Sequence, residues 1–278
     1  MRENSKFDNM NIGIVFVQML GVALLSHIVF NTIQRVLEIE LTFFMWVTIY
    51  LLCLYILVRS LRINDISPKD VFGDFSVKNV PWTTLICIKI LLILFSWLSQ
   101  SAGMPLISMV EPDVYKEVYA IYNEQADSTV INFNVIMMLI ISFTLVPIVE
   151  EFLFRGYLLN KWGAKLGIGK AIIISSLLFA FLHFDILVFL AYFANGIFYS
   201  LVYLKTKKLI VPIILHSLTN LISSLSNFSP GLSIGSIEQL ELAAIVNTII
   251  YLILIPIIAF ILFRFYKRHA LTLPYPSK

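Results

Sequence analysis

The chain has 278 residues, of which 59% are hydrophobic and only 13% charged, and its formal net charge is +3. This composition lies far outside the range of soluble globular proteins and excludes a large water-soluble domain. The two cysteines, Cys53 and Cys87, both fall in apolar segments, which argues against a disulfide framework or a thiolate metal cluster. The composition therefore predicts a single transmembrane domain over residues 1–278.

Eight apolar segments are predicted to be membrane-spanning helices, because a helix needs about 20 mostly apolar residues to cross the hydrocarbon of a bilayer. In chain order they cover residues 11–33, 41–58, 82–100, 133–158, 170–184, 186–204, 209–226 and 244–265. The predicted fold is therefore all-α and polytopic. The fifth and sixth segments are separated only near Phe184 and Asp185, so a short hairpin is the alternative to two full crossings.

The basic residues predict the orientation of the helices, because lysine and arginine accumulate in cytoplasmic loops. With eight spans, all 20 basic residues except Arg35, Lys89 and Lys116 fall on one side. The opposite side contains the acidic segment 101–132. We therefore expect both termini in the cytoplasm and the protein in the plasma membrane. The net charge reflects this topology, and no nucleic-acid partner is expected.

Polar side chains inside the predicted spans are the candidate functional residues, because they are costly in lipid and face a cavity or a partner. They are Glu150, Glu151, Arg155, His183, His216, Asn220, Lys89 and His27. In a helix, Glu151 and Arg155 are four residues apart and can form an ion pair on one face. Glu150 is rotated away from that face.

Each of these residues also has a purely structural interpretation. The Glu151 and Arg155 pair could be a clamp at the membrane interface, or it could orient a catalytic neighbour. His27 is best explained as an interhelical hydrogen-bonding residue. Lys89 could extend toward the membrane surface or pair with an acidic side chain, and it receives no role. His216 and Asn220, which share a helix face, could each join two helices.

Taken together, three motifs occur in a fixed order. They are "EEFLFR" at residues 150–155, "FAFLH" at 179–183 and "HSLTN" at 216–220. They match the EExxxR, FxxxH and HxxxN signatures of the CAAX protease and bacteriocin-processing family, also called CPBP or Abi. The chain therefore resembles these intramembrane endopeptidases, including the type II CAAX prenyl endopeptidases, over residues 135–225.

The resemblance implies an eight-helix membrane protease with its catalytic core in that segment. By the resemblance, Glu150 activates a water with help from His183, and His216 and Asn220 stabilise the oxyanion. Glu151 and Arg155 become supporting residues. It also implies a hydrophobic or lipidated peptide as substrate, with membrane lipid as the surroundings. Bacterial counterparts are linked to bacteriocin immunity, and a non-proteolytic scaffold or self-immunity protein therefore stays open as an alternative.

Two further alternatives concern metal and transport. Glu150, His183 and His216 could supply nitrogen and oxygen ligands for zinc. The HExxH pattern of zinc proteases is absent, and the same residues serve a metal-free mechanism, which we favour. A secondary transporter would predict inverted repeats, and none is apparent in the sequence.

The depths of the predicted site residues do not obviously agree. His183 lies about 20 Å along the fifth helix, at 1.5 Å per residue, whereas Glu150 lies near the cytoplasmic end of the fourth. A fourth helix extended to about residue 160, or a shortened fifth, would bring them together. We expect a cavity that opens to the cytoplasm or sideways to lipid. The aromatic residues Phe152, Phe154, Phe179 and Phe181 are expected in the core, or packed around the site.

Overall fold

The computed structural model describes residues 6–126, 133–226, 236–269 and 271–273. Eight main helices account for most of them. They are α1 (Ile12–Leu37), α2 (Thr42–Ile63), α3 (Trp82–Ala102), α4 (Phe133–Leu166), α5 (Ile168–Phe181), α6 (Phe189–Thr206), α7 (Ile210–Ser226) and α8 (Ile237–Arg268). Short helices at Pro68–Phe72, Met104–Ile107 and Val114–Ala126 lie in the connections.

The prediction of an all-α polytopic membrane protein is confirmed. No strand occurs in the described residues, and each of the eight predicted segments coincides with one helix. By length and composition, α1, α2, α4, α8 and the stretch Trp82–Ile107 that begins with α3 can each cross a membrane. The helices α5 and α7 are apolar but shorter.

The fourth and fifth helices differ from their predicted lengths in opposite directions. α4 continues to Leu166, beyond the predicted end at residue 158. α5 ends at Phe181, so His183 lies in the turn that follows the helix and not inside it. α4 is thus longer than predicted, whereas α5 begins and ends a few residues earlier than the predicted 170–184.

A π-helical stretch, Phe152–Leu159, interrupts α4 directly after the two glutamates. Such wide turns are rare in helices and occur frequently at functional sites. The Asn160 side chain donates hydrogen bonds to the carbonyls of Arg155 (3.1 Å) and Gly156 (2.9 Å). Gly156 is needed at this point, because a Cβ there would lie 2.8 Å from a side-chain carbon of Val71. The stretch is therefore held by a buried amide and a close approach of the Pro68–Phe72 helix.

Several segments that the charge pattern assigns to one side of the membrane meet at one end of the bundle. Lys6 donates to the backbone carbonyl of Asp65, and Lys161 of α4 donates to backbone carbonyls of the N-terminal segment. Lys208, between α6 and α7, pairs with Asp74 at 3.2 Å. The backbone N–H of Ser76, then Lys208, lower the pKa of Asp74. Residues 127–132 and both chain ends, which belong to the same topology prediction, lie outside the described residues.

The helix α6 occupies the centre of the bundle. It contacts α3, α4, α5, α7 and α8. Its closest neighbour is α5, because a Cβ at Gly196 would lie only 2.9 Å from Cβ of Ser176. Small residues at such crossings let membrane helices approach closely. The site described next is built on the faces that α4 and α7 turn toward α6.

Candidate active site

A cavity of about 400 Å³ lies inside the helical bundle. Glu150 of α4, His183 after α5, and His216 and Asn220 of α7 all contribute to its wall. The structure thus brings together the four residues that the motifs predicted as catalytic. They are spread over 71 positions of the chain. They come together because α4 and α7 face the same cavity.

Two carboxylates lie on either side of the His216 ring. The ring atom Nδ1 is 2.9 Å from Oε1 of Glu151, and Nε2 is 3.9 Å from Oε2 of Glu150. Since an ionised carboxylate only accepts hydrogen bonds, Nδ1 donates to Glu151. Nε2 is then directed toward Glu150 and the cavity. The 3.9 Å between Nε2 and Oε2 of Glu150 is too long for a hydrogen bond.

Glu150 and Glu151 are adjacent in sequence but have different surroundings. The Glu151 side chain is fully buried, whereas that of Glu150 is 24% exposed. Oε2 of Glu150 has no hydrogen-bond partner among the described residues. One glutamate therefore belongs to the buried framework, and the other presents a carboxylate to the cavity.

Arg155 forms the predicted ion pair with Glu151. Its Nη1 donates to Oε1 of Glu151 at 3.1 Å, and both side chains are fully buried. Its Nη2 donates to the carbonyl of Gly196 in α6 at 2.8 Å. The guanidinium also lies over the ring of Phe179, 4.7 Å from its centroid. The pair is therefore enclosed by protein and joins α4 to α6 and, through His216, to α7.

His183 is fixed by the residues around it. Its Nδ1 is 2.7 Å from the carbonyl of Phe179, so this nitrogen carries the hydrogen. Its ring stacks on that of Tyr192, with centroids 3.9 Å apart. These contacts leave Nε2 of a half-buried ring as the atom that can act in the cavity.

Asn220 also has one fixed and one available part. Its Nδ2 donates to the carbonyl of Ser142 in α4 at 2.8 Å. This bond joins α7 to α4, as expected of an amide in a membrane helix. The same side chain lines the cavity. Asn220 therefore joins two helices, and the same side chain can also have a role in the site.

The sequence interpretation missed several residues that line the cavity. They are Trp97, Gln100, Tyr192, Asn195, Tyr199 and Thr219. Asn195 and Tyr199 are four residues apart in α6, which is a signal of one shared face. No motif marked that face, and tyrosine and tryptophan are too common in membrane helices to be selected by type alone.

Lys89 neither extends to the membrane surface nor pairs with an acidic side chain, the two alternatives that the sequence suggested. Its side chain is fully buried, so it does not extend to the membrane surface. Its hydrogen-bond partners are Oδ1 of Asn195 and the hydroxyl of Tyr199, neither of them acidic. His27, by contrast, does contact another helix, because its ring lies edge-on to Trp46 of α2.

The aromatic predictions hold for three residues of four. Phe152, Phe154 and Phe179 are at most 3% exposed, and Phe179 also lines the cavity. Phe181 is 63% exposed and contacts Phe189 instead, because α5 ends there and turns its last residue outward. The prediction that Phe181 packs in the core or around the site is therefore wrong.

The alternative zinc site does not fit the side chains. Across the described ranges, no three or more His, Cys, Asp or Glu side chains are grouped so that they could hold a metal ion. We therefore derive no step of the chemistry through a metal.

Comparison with known proteins gives the same assignment for this part of the chain. Residues 132–222 match the family model described as Rce1-like, type II CAAX prenyl endopeptidase Rce1-like. The resemblance drawn from the motifs is confirmed over this segment, which contains all six candidate site residues.

Two curated relatives match part of the chain. A "Membrane-embedded CAAX protease MroQ" of Staphylococcus aureus (strain USA300) is 41% identical over 80 residues, which are 27% of this chain and 32% of the relative. A "Putative membrane peptidase YdiL" of Bacillus subtilis (strain 168) is 34% identical over 84 residues, which are 30% of this chain and 34% of the relative. The matches thus span about a third of each relative. No solved structure matches the chain.

Proposed function

We propose that this protein is an intramembrane endopeptidase that hydrolyses peptide bonds by activating a water with Glu150. The observation that carries the proposal is the His216 ring placed between two glutamates, one buried and one facing an internal cavity. Names of the partial relatives, a CAAX protease and a membrane peptidase, support the same reaction class.

Hydrolysis of a peptide bond requires a base beside the attacking water. Glu150 suits this role, because its side chain lines the cavity and is 24% exposed, whereas that of Glu151 is fully buried. His183 lines the same cavity and has Nε2 available, which suits an assisting role. The water donates a proton to Glu150 as its oxygen bonds to the carbonyl carbon. That proton then passes to the amide nitrogen as the C–N bond breaks, which leaves a carboxylic acid and a free amine.

The tetrahedral intermediate carries negative charge on the former carbonyl oxygen. Donors aimed at that oxygen lower the free energy of the transition state. We assign this role to His216, through Nε2–H when the ring is protonated, and to the Asn220 amide. Glu151 holds the ring through Nδ1, and Arg155 balances the charge of Glu151. These two are supporting residues and do not touch the substrate.

The proposed substrate is a hydrophobic peptide associated with the membrane. The cavity lies within a helical bundle, so a substrate reaches it from lipid or from the membrane surface. Lipidated CAAX-type peptides belong to this class, and the relative named as a CAAX protease suggests them. We also propose that both termini are cytoplasmic and that the protein lies in the plasma membrane, because the basic residues favour that side.

The test is cleavage of fluorogenic membrane peptides, with and without a prenyl group, by purified protein in detergent. Glu150→Gln removes the base and keeps its shape, so we expect kcat to fall by about 1,000-fold, within the range for general bases. The matched control is Glu117→Gln, which changes an exposed carboxylate outside the site and should leave kcat unaltered. Size exclusion confirms that each variant is folded.

Two other results would point elsewhere. Failure of the wild-type protein to cleave any peptide would favour a non-proteolytic scaffold or immunity protein. Equal loss in Glu117→Gln would show that the assay reports folding and not catalysis. Repeating the wild-type assay with a strong chelator tests metal dependence, and we expect no change in rate.

A further inference from the structure

A buried lysine lies directly behind the proposed active site. Lys89 is in α3, outside the segment that matches the family model, and its side chain is 0% exposed. An ammonium group in an apolar interior is costly unless it is hydrogen-bonded and compensated by charge. Its presence there requires a physical reason.

The ammonium contacts two residues of α6 that line the cavity. Its Nζ donates to Oδ1 of Asn195 and, at 2.6 Å, to the hydroxyl of Tyr199. It also lies 4.5 Å from the centroid of the Tyr199 ring, within the range of a cation–π contact. Within the described part of the chain, no carboxylate lies within 4 Å of it to form a direct ion pair.

These contacts fix the direction of a series of hydrogen bonds, because an ammonium group only donates. Tyr199 accepts from Lys89, so its own hydrogen is available to Oγ1 of Thr219 at 3.3 Å. Thr219 in turn donates to the carbonyl of Leu215 at 3.0 Å. Asn195 turns its oxygen to Lys89, so its nitrogen donates to the carbonyl of Ala191 at 2.9 Å. Lys89 therefore begins a series of hydrogen bonds that includes three cavity-lining side chains, Asn195, Tyr199 and Thr219.

The same contacts connect Lys89 to the catalytic imidazole. The Tyr199 ring stacks on the His216 ring with centroids 5.0 Å apart and planes 16° apart. Arg155 lies over the same tyrosine ring, 5.2 Å from its centroid. Tyr199 thus contacts Lys89, Arg155 and the His216 imidazole, and Arg155 and the imidazole also share Oε1 of Glu151.

We propose that Lys89 is a positioning residue for peptide hydrolysis, acting through Tyr199 and Asn195 on the orientation of His216 and on the electrostatic field in the cavity. The inference rests on the proposed peptidase function. Lys89 does not line the cavity, so it acts without touching the substrate. A cation in a low-dielectric interior stabilises negative charge that develops nearby, and this effect lowers the barrier without altering substrate binding.

The test compares kcat and KM for the wild type, Lys89→Met and Lys89→Arg. Methionine keeps most of the side-chain volume but removes the charge and the donors, so we expect kcat to fall about 10-fold to 100-fold, less than for a donor that touches the oxyanion. KM should stay within about twofold, since ground-state binding is unchanged. Arginine keeps the charge and donors and should restore part of kcat.

The control is Asn247→Leu, which removes a hydrogen bond from α8 to Ser101 of the same helix α3 without touching the cavity. It should retain the wild-type kcat. If Lys89→Met does not fold, Tyr199→Phe replaces it, because phenylalanine keeps the ring on His216 but removes the hydroxyl that Lys89 contacts. We expect Tyr199→Phe to lower kcat about threefold to tenfold with KM unchanged.

The inference is overturned if folded Lys89→Met keeps kcat within about twofold of the wild type, or if only KM changes. A kcat of Lys89→Arg no higher than that of Lys89→Met, at wild-type thermal stability, overturns it as well. If no peptide is cleaved, the proposed function fails, and ¹⁵N resonances of labelled histidine decide about Lys89 separately. The His216 signal, assigned with His216→Ala, should shift in Lys89→Met and not in Asn247→Leu, and an unshifted signal would contradict positioning.

Discussion

The helices α1 and α6 show opposite relations between hydrophobicity and burial. α1 is long and apolar, yet among its 26 residues only Val15 and Ser26 are buried. α6 contains Asn195, Ser200 and three tyrosines, and it is not among the helices that are apolar enough to be recognised as spans. It is nevertheless enclosed by five other helices.

The difference between α1 and α6 shows which residues of a membrane protein face lipid and which face other helices. Lipid tails are as apolar as leucine, so an apolar surface can remain exposed to them without cost. Polar groups cannot, and they must be enclosed by other helices. High hydrophobicity therefore marks the outside of this bundle, and moderate hydrophobicity with regularly spaced polar residues marks the inside, where the proposed site lies.

The largest expected effect on stability comes from breaking the polar interior at Arg155. Arg155→Met leaves the buried carboxylate of Glu151 without its cationic partner and removes the bond to the Gly196 carbonyl. We expect the free energy of unfolding to fall by about 3 to 5 kcal/mol, as for other broken buried ion pairs. Denaturant unfolding of the purified protein in mixed micelles measures it.

The double variant Glu151→Gln with Arg155→Met is the control for the charge. It removes both charges and keeps an acceptor for Nδ1 of His216, so it should be more stable than Arg155→Met by about 1 to 3 kcal/mol. A double variant as unstable as the single one would mean that packing and the bond to Gly196, and not the unpaired carboxylate, dominate.

Much of the candidate site followed from sequence spacing. Glu151 and Arg155 are four residues apart and do pair, and Glu150, one residue earlier, does face the cavity. His216 and Asn220 share a face as their spacing predicted. These predictions succeeded because a helix converts spacing into direction without reference to the rest of the molecule.

The features that were missed depend on contacts between distant parts of the chain. The partners of Lys89 are 106 and 110 residues away, so no spacing rule could pair Lys89 with Asn195 or Tyr199. The π-helical stretch depends on Asn160 and on the approach of Val71 to Gly156, and it has no periodic signal of its own. The end of α5 at Phe181 was misplaced because the apolar residues continue past it.

A smaller effect is expected where α5 and α6 cross. Gly196→Ala places a methyl group 2.9 Å from Cβ and 3.0 Å from Cα of Ser176, so the two helices must separate. We expect a loss of about 1 to 3 kcal/mol in the free energy of unfolding, the usual cost of overpacking. Adding Ser176→Gly should recover part of the loss, since the hydroxyl of Ser176 has no hydrogen-bond partner among the described residues. No recovery would mean that the clash is with backbone alone.

The smallest effect, and the sharpest test of the comparison, is the same substitution in α1. A Cβ at Gly21 would meet no atom of the described residues within 4 Å, and we expect lipid on this open face of α1. Since alanine is favoured over glycine in a helix, Gly21→Ala should be neutral or raise the free energy of unfolding by up to about 1 kcal/mol. Denaturant unfolding of Gly21→Ala and Gly196→Ala in the same micelles measures the change in the free energy of unfolding for both variants. A loss at Gly21 as large as that at Gly196 would show that α1 is covered by a protein surface and not by lipid.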